Sequence, residues 1–133
     1  MNSNRALWSL SLLLGCTSQP AGPCGPESDP TPPAPRADLA GAWDAAGDRL
    51  IAVGGDLGTP IDCVPQPSFT TQTVALLPEC AGFQTLGGST VPHARGGHAL
   101  ARDPGGGALY LHGGRHRDAG VGGEYDLFGD LWS

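Results

Sequence analysis

The stretch from Gly113 to Asp126, GGRHRDAGVGGEYD, gathers the side chains best suited to contact a ligand. Arg115, His116, Arg117, Asp118, Glu124 and Tyr125 bring guanidinium donors, an imidazole, carboxylates and a phenol into one glycine-rich segment. Such a mixture can hydrogen-bond sugars, peptides or carboxylates, and loops held by a rigid scaffold are the usual carriers of binding groups. A solvated loop without a ligand is the plainer alternative for any one of these residues.

Other chemistry finds less support. Histidines at 93, 98, 112 and 116 are close enough to raise a metal site. His112 ends an apolar run and only His116 belongs to a loop, so the set does not read as converging ligands, and neither metal nor cofactor is assigned. Four cysteines contain no Cys-x-x-Cys pair, which argues against zinc. There is no Gly-x-Ser-x-Gly element, and the glycines at 105–107 read as a turn because no helix follows them. No catalytic residue is assigned. The formal charge is −6, there is no lysine, and seven arginines are scattered from Arg5 to Arg117. A chain without a basic stripe is not expected to bind nucleic acid.

The elements that must position the loop announce themselves as a repeat. LIAVGG (Leu50 to Gly55) and LYLHGG (Leu109 to Gly114) each close an apolar run with a glycine pair, Gly54–Gly55 and Gly113–Gly114. Pro33–Gly55 lies over Pro92–Gly114 without a gap, at a constant offset of 113 − 54 = 59. Arg36 then meets Arg95, Asp44 meets Asp103 and Leu50 meets Leu109. In each copy a short run that can lie extended (LAGAW, HALAR) is followed by a turn (DAAGD, DPGGG) and a second strand (RLIAV, ALYLH). The second strands are nearly continuous in apolar residues, the pattern of a strand buried on both faces. Units this small lack a private core, and a period near sixty residues predicts sheets stacked on similar sheets.

This pattern resembles the kelch family, whose β-propeller blades are four-stranded antiparallel sheets with a glycine pair ending the second strand. In the family a tyrosine on strand three and a tryptophan on strand four follow. In VALLPECAGFQTLGG, Leu76 and Phe83 take those places, so the first copy is a degenerate blade. GDLWS (Gly129 to Ser133) resembles the start of strand three in the second copy. The resemblance implies an all-β fold, a partial kelch-type propeller with a degenerate first blade over 36–91 and a truncated second blade over 92–133, the N-terminal part of a longer protein. It also implies that the Gly113–Asp126 loop lies on the propeller face that commonly carries the ligand site. Arg36 and Arg95 are expected to make structural contacts between blades rather than to touch a ligand.

Ahead of the repeat, MNSNRALWSLSLLLGCTSQP reads as an export signal, with Arg5 before an apolar run too short to span a bilayer as a helix. Leu13-Leu14-Gly15-Cys16 resembles the bacterial lipobox, which implies a lipoprotein signal peptide over 1–15 and lipidation of Cys16. Thr17 in place of an aspartate leans toward the outer membrane. Residues 16–35 form a proline-rich segment with nothing apolar larger than alanine besides cysteine, expected to be a flexible, disordered tether in extended geometry. Cys24, Cys63 and Cys80 remain as disulfide candidates, with Cys63–Cys80 and Cys24–Cys63 both open and the first slightly favoured. The expected function is an envelope-anchored lipoprotein that binds a protein or glycan or serves as a scaffold. The alternative is a fragment of a carbohydrate-processing or galactose-oxidase-like propeller enzyme.

Overall fold

The computed structural model describes residues 28–105, 107–118 and 123–133, so Cys16 and Cys24 lie outside the described residues. Within them the chain is all-β, apart from a single 3-10 turn at Pro78–Cys80. The first sheet has the order β1 (Ala40–Asp44), β2 (Arg49–Val53), β3 (Thr73–Leu77), β4 (Gly82–Leu86), every neighbour antiparallel. The second sheet joins β5 (Ala99–Arg102), β6 (Leu109–His112) and β9 (Leu131–Trp132). Arg115–His116 (β7) and Asp126–Leu127 (β8) form a two-stranded ribbon beyond its end.

Turn chemistry explains why these runs fold into hairpins. Asp44 Oδ1 accepts the N–H groups of Ala46 and Gly47 at 3.2 and 3.1 Å, closing the β1–β2 turn, and Asp48 takes the positive φ the turn requires. Between β3 and β4, Pro78 opens the 3-10 turn and Ala81 ends it in the left-handed region. Leu76 and Phe83 then stand directly opposite each other, where cross-strand apolar pairs stabilise a sheet.

The repeat survives in the backbone hydrogen bonds. Ala37 and Asp56 exchange amide–carbonyl bonds at 2.9 and 2.8 Å, and Gly96 and Arg115, each 59 residues on, exchange theirs at 3.0 and 2.9 Å. Gly54 N–H donates to Gln72 and Gly113 N–H to Asp130. Both glycine pairs have positive φ, +61° and +100° in the first copy and +70° and +104° in the second. A Cβ on Gly54 would also sit 2.6 Å from the Arg95 carbonyl oxygen, so the sharp bend and the neighbouring backbone each require glycine there.

The two sheets join head to tail. Asp44 and Arg102 form an ion pair between β1 and β5. Period-two alternation puts Asp44 on the face of the first sheet that holds buried Ile51, Ala75 and Leu77, and Arg102 on the face of the second that holds buried Leu111. On the opposite faces, Trp43 and Leu50 of the first sheet and Tyr110 and Leu131 of the second are exposed, while Val74 in the middle of the first sheet is buried and lines one groove with Pro32, Pro33, Ala34, Pro35 and Arg36. Burial of the second strands on both faces, expected from their unbroken apolar pattern, is therefore incomplete: Ile51 and Leu111 are buried, while Leu50 and Tyr110 on the other faces stay open. Part of the proline-rich segment, expected to be a free tether, is tied to the sheet while staying exposed: Asp29 exchanges two 2.8 Å backbone bonds with Phe83 on the outer edge of β4.

Candidate functional site

The bend at Gly113–Gly114 launches the ribbon that carries the candidate ligand groups. Their backbone is fixed from behind, since Arg115 is tied to Gly96 and Phe128 N–H donates to Gly114 at 2.9 Å. The ribbon brings two guanidinium groups onto one ring: Arg115 and Arg117 lie 5.0 and 4.9 Å from the Tyr125 centroid. Each such contact is worth about 0.5–1 kcal/mol at an exposed site. Arg115 also donates to Asp38 at 2.7 Å, and Arg117 to the carbonyls of Gly123 and Pro65 at 3.2 and 3.3 Å.

His116 sits 3.1 Å from the Asp118 carboxylate and edge-on to His93, ring centroids 4.4 Å apart. Phe69 touches both His116 and Tyr125, at 5.6 and 6.3 Å between centroids. His93 continues the row to Phe128, over which Arg95 lies at 4.0 Å. The cluster is thus built from both copies of the repeat and from the link between them. Among the described residues, His116 Nδ1 and Arg117 Nε are buried without a hydrogen-bond partner. Of the residues singled out in the sequence, Arg115, His116, Arg117, Asp118 and Tyr125 come together, while Glu124 stands exposed beside Tyr125. Phe69, His93 and Phe128 were not singled out as part of this site; the only sequence signal for them is their closeness to strand ends, which is weak.

Arg95 forms the rigid floor. It is buried, and its guanidinium grips the Asp130 carboxylate with two bonds of 2.5 and 2.8 Å while also donating to the carbonyls of Gly113 and His93 at 2.9 and 3.0 Å. Arg95 and the Trp132 indole N–H together hold the Asp130 carboxyl well below the usual carboxylate range. Arg36 does the same in the first copy, donating to Gly54 O at 3.3 Å and to the Gln72 side-chain oxygen at 2.6 Å. Each guanidinium clamps the glycine bend to strand three within its own sheet, and the contact expected between copies is made at Arg95 by the backbone, whose carbonyl accepts the Gly55 N–H at 2.9 Å. His98, beside Arg95, is buried with neither ring nitrogen partnered among the described residues. Burial first, and the Arg95 charge second, push its pKa down from 6.5.

Neither pairing left open, the favoured Cys63–Cys80 or Cys24–Cys63, is made, because both need Cys63. Cys80 is disulfide-bonded, while Cys63 is free and exposed. The geometry explains it: Cys63 lies in the loop before β3 and Cys80 just after it, and a five-residue strand separates its ends by about 13–17 Å, whereas a disulfide needs Cα atoms within about 7 Å. The other candidate, Cys24, lies outside the described residues. Among the described residues no group of three or more His, Cys, Asp or Glu is placed to hold a metal ion, and no helix is long and apolar enough to cross a membrane. Comparison with protein-family models gave no match, and a search of curated proteins gave none either.

Proposed function

We propose that this chain is the opening part of a kelch-type β-propeller, exported and held at the cell envelope by lipid on Cys16, and that the ribbon beyond its second sheet binds a protein or glycan ligand. The observation that carries the binding reading is Tyr125 flanked by Arg115 and Arg117 next to the Phe69–His116–His93 row. Flat aromatic faces beside fixed guanidinium donors suit sugar rings and peptide carbonyl or carboxylate groups, and Tyr and Arg are the side chains that dominate binding energy at interfaces. The head-to-tail packing of two sheets related by one offset supports the propeller reading, because radial stacking needs this relation between successive blades.

Oligosaccharide and peptide panels test the binding. For a ligand so found, Tyr125→Ala and Arg117→Ala are expected to weaken affinity by about tenfold or more. Affinity unchanged in both variants would refute this site. Anchoring is tested by metabolic labelling with a fatty-acid analogue, which Cys16→Ser is expected to abolish.

A further inference from the structure

Cys80 is disulfide-bonded and Cys63 is free. Of the four cysteines in the chain, only Cys16 and Cys24 are left to supply the second sulfur, and both precede the described residues. The first described residues show where that upstream chain arrives. Asp29 exchanges its two backbone bonds with Phe83 on the outer edge of β4. A Cβ on Gly82 would stand 3.3 Å from Ser28 Cβ and 3.7 Å from Cys80 Cβ, which puts those two Cβ atoms within about 7 Å of each other. Past this contact, Asp29 Oδ1 accepts the Thr31 N–H at 2.7 Å and turns the chain, and Pro32–Arg36 then shares a groove with buried Val74. Ser28 to Arg36 is thus a strap that runs from the β4 edge to one face of the first sheet, and Cys80 stands where the strap begins.

Chain length chooses between the two remaining sulfurs. Cys24 is four positions before Ser28 and Cys16 is twelve before it. Four residues reach up to about 13 Å, enough to bring Cys24 to Cys80. Because the closure cost grows as the three-halves power of loop length, the shorter connection is favoured by about fivefold.

We propose that Cys24 and Cys80 form a disulfide that staples the proline-rich segment to the outer edge of β4 and keeps that edge capped. The bridge forms by exchange with an incoming disulfide. One thiolate attacks it and the other then displaces the leaving sulfur, so the Cys24 Sγ–Cys80 Sγ bond forms, the incoming S–S bond breaks, and its two sulfurs depart as thiols with the two electrons and two protons. An uncapped edge is a row of N–H and C=O groups open to a strand from another chain, and the Asp29–Phe83 bonds occupy part of that row. Two bonds alone make a weak cap; a covalent link beside them holds the strap in place when they open. β4 is the strand farthest from the β1–β5 seam in the sheet order, so the staple involves neither the seam nor the ribbon. It goes beyond the ligand-binding reading and stands or falls separately from it.

Mapping the link in the full-length chain, oxidised with glutathione disulfide and cut by a glutamate-specific protease, tests the pairing. Glutamates at 27, 79 and 124 place Cys63 and Cys80 in separate fragments, and Cys16 with Cys24 in a third. Mass spectrometry without reduction is expected to find the fragment ending at Glu27 joined to the fragment that starts at Cys80, with sequence ions locating the link at Cys24. A link at Cys16, a link at Cys63, or a Cys80 that alkylates in the oxidised wild type would each overturn the pairing. Amide hydrogen exchange read by NMR tests the cap. The Phe83 amide is expected to exchange about tenfold faster or more in Cys80→Ser while the β2 amides keep their rates. Reduced wild-type protein, which keeps every side chain of the Pro78–Cys80 turn, is expected to behave in the same way. Unchanged Phe83 exchange in both samples, or a rise shared equally by β2, would overturn the capping role.

Discussion

Arg36 and Arg95 stand at the same place in the two repeats and reach for the same elements, the carbonyl of the first bend glycine and the residue just before strand three. In the first sheet that residue is Gln72, an amide that meets one guanidinium nitrogen. In the second it is Asp130, a carboxylate that meets two. The second arginine is also buried, with its guanidinium against Phe128, whereas the first is partly open. A shared backbone frame thus tolerates either a neutral or an ionic latch, and the ionic one joins a buried arginine to a carboxylate that is still 38% exposed. Charge-assisted bidentate bonds are about twice as strong as neutral ones, so the strands need not be alike in energy to be alike in shape.

The largest effect is expected from removing the ionic latch. Arg95→Met strands the Gly113 and His93 carbonyls and should lower unfolding free energy by about 3 kcal/mol, against about 1 kcal/mol for Arg36→Met, both read from urea titration. Equal losses would break the comparison. Next comes the pair of equivalent second-strand positions: Ile51→Ala, at a covered site, should cost about 2–3 kcal/mol, and Tyr110→Ala, at an uncovered one, about 0.5 kcal/mol or less in the monomer.

The smallest effect is a pH dependence confined to the second copy. The folded chain holds His98 at a lowered pKa, so the unfolded chain binds the proton more readily. Stability is full above about pH 6.5, the ordinary imidazole value, and falls as pH drops from there toward the folded value. His98→Leu, which installs the residue found at position 39, should flatten that part of the pH–stability curve in thermal melts. A curve that keeps its slope in His98→Leu would assign the dependence to other groups.

Much of the first sheet was legible before any coordinates, because its signals are local. Apolar runs of strand length, the aspartate and glycine turn, and the glycine pairs locate β1, β2, β5 and β6, and the kelch-like spacing put Leu76 and Phe83 on successive strands without showing that they stand opposite each other. Which side of each sheet would be covered was not legible, because RLIAV and ALYLH are apolar on both faces and alternation gives no sign to follow. The candidate segment Gly113–Asp126 was singled out by composition alone. Its aromatic surround was missed because Phe69, His93 and Phe128 arrive from three separate connections with no shared period. The disulfide failed for a related reason, since sequence distance between Cys63 and Cys80 is short while the strand between them keeps their backbones apart.

Asp44 serves two masters. One oxygen caps the turn of its own hairpin, the other holds Arg49, and the same carboxylate receives Arg102 from the following sheet. Loosening the turn therefore also loosens the seam, so damage in one module is communicated to the next, and melting is expected as a single event rather than as two steps. Asp103 keeps the turn bond to Gly105 at 2.9 Å, which leaves the second module equipped to transmit the same coupling to whatever lies against it.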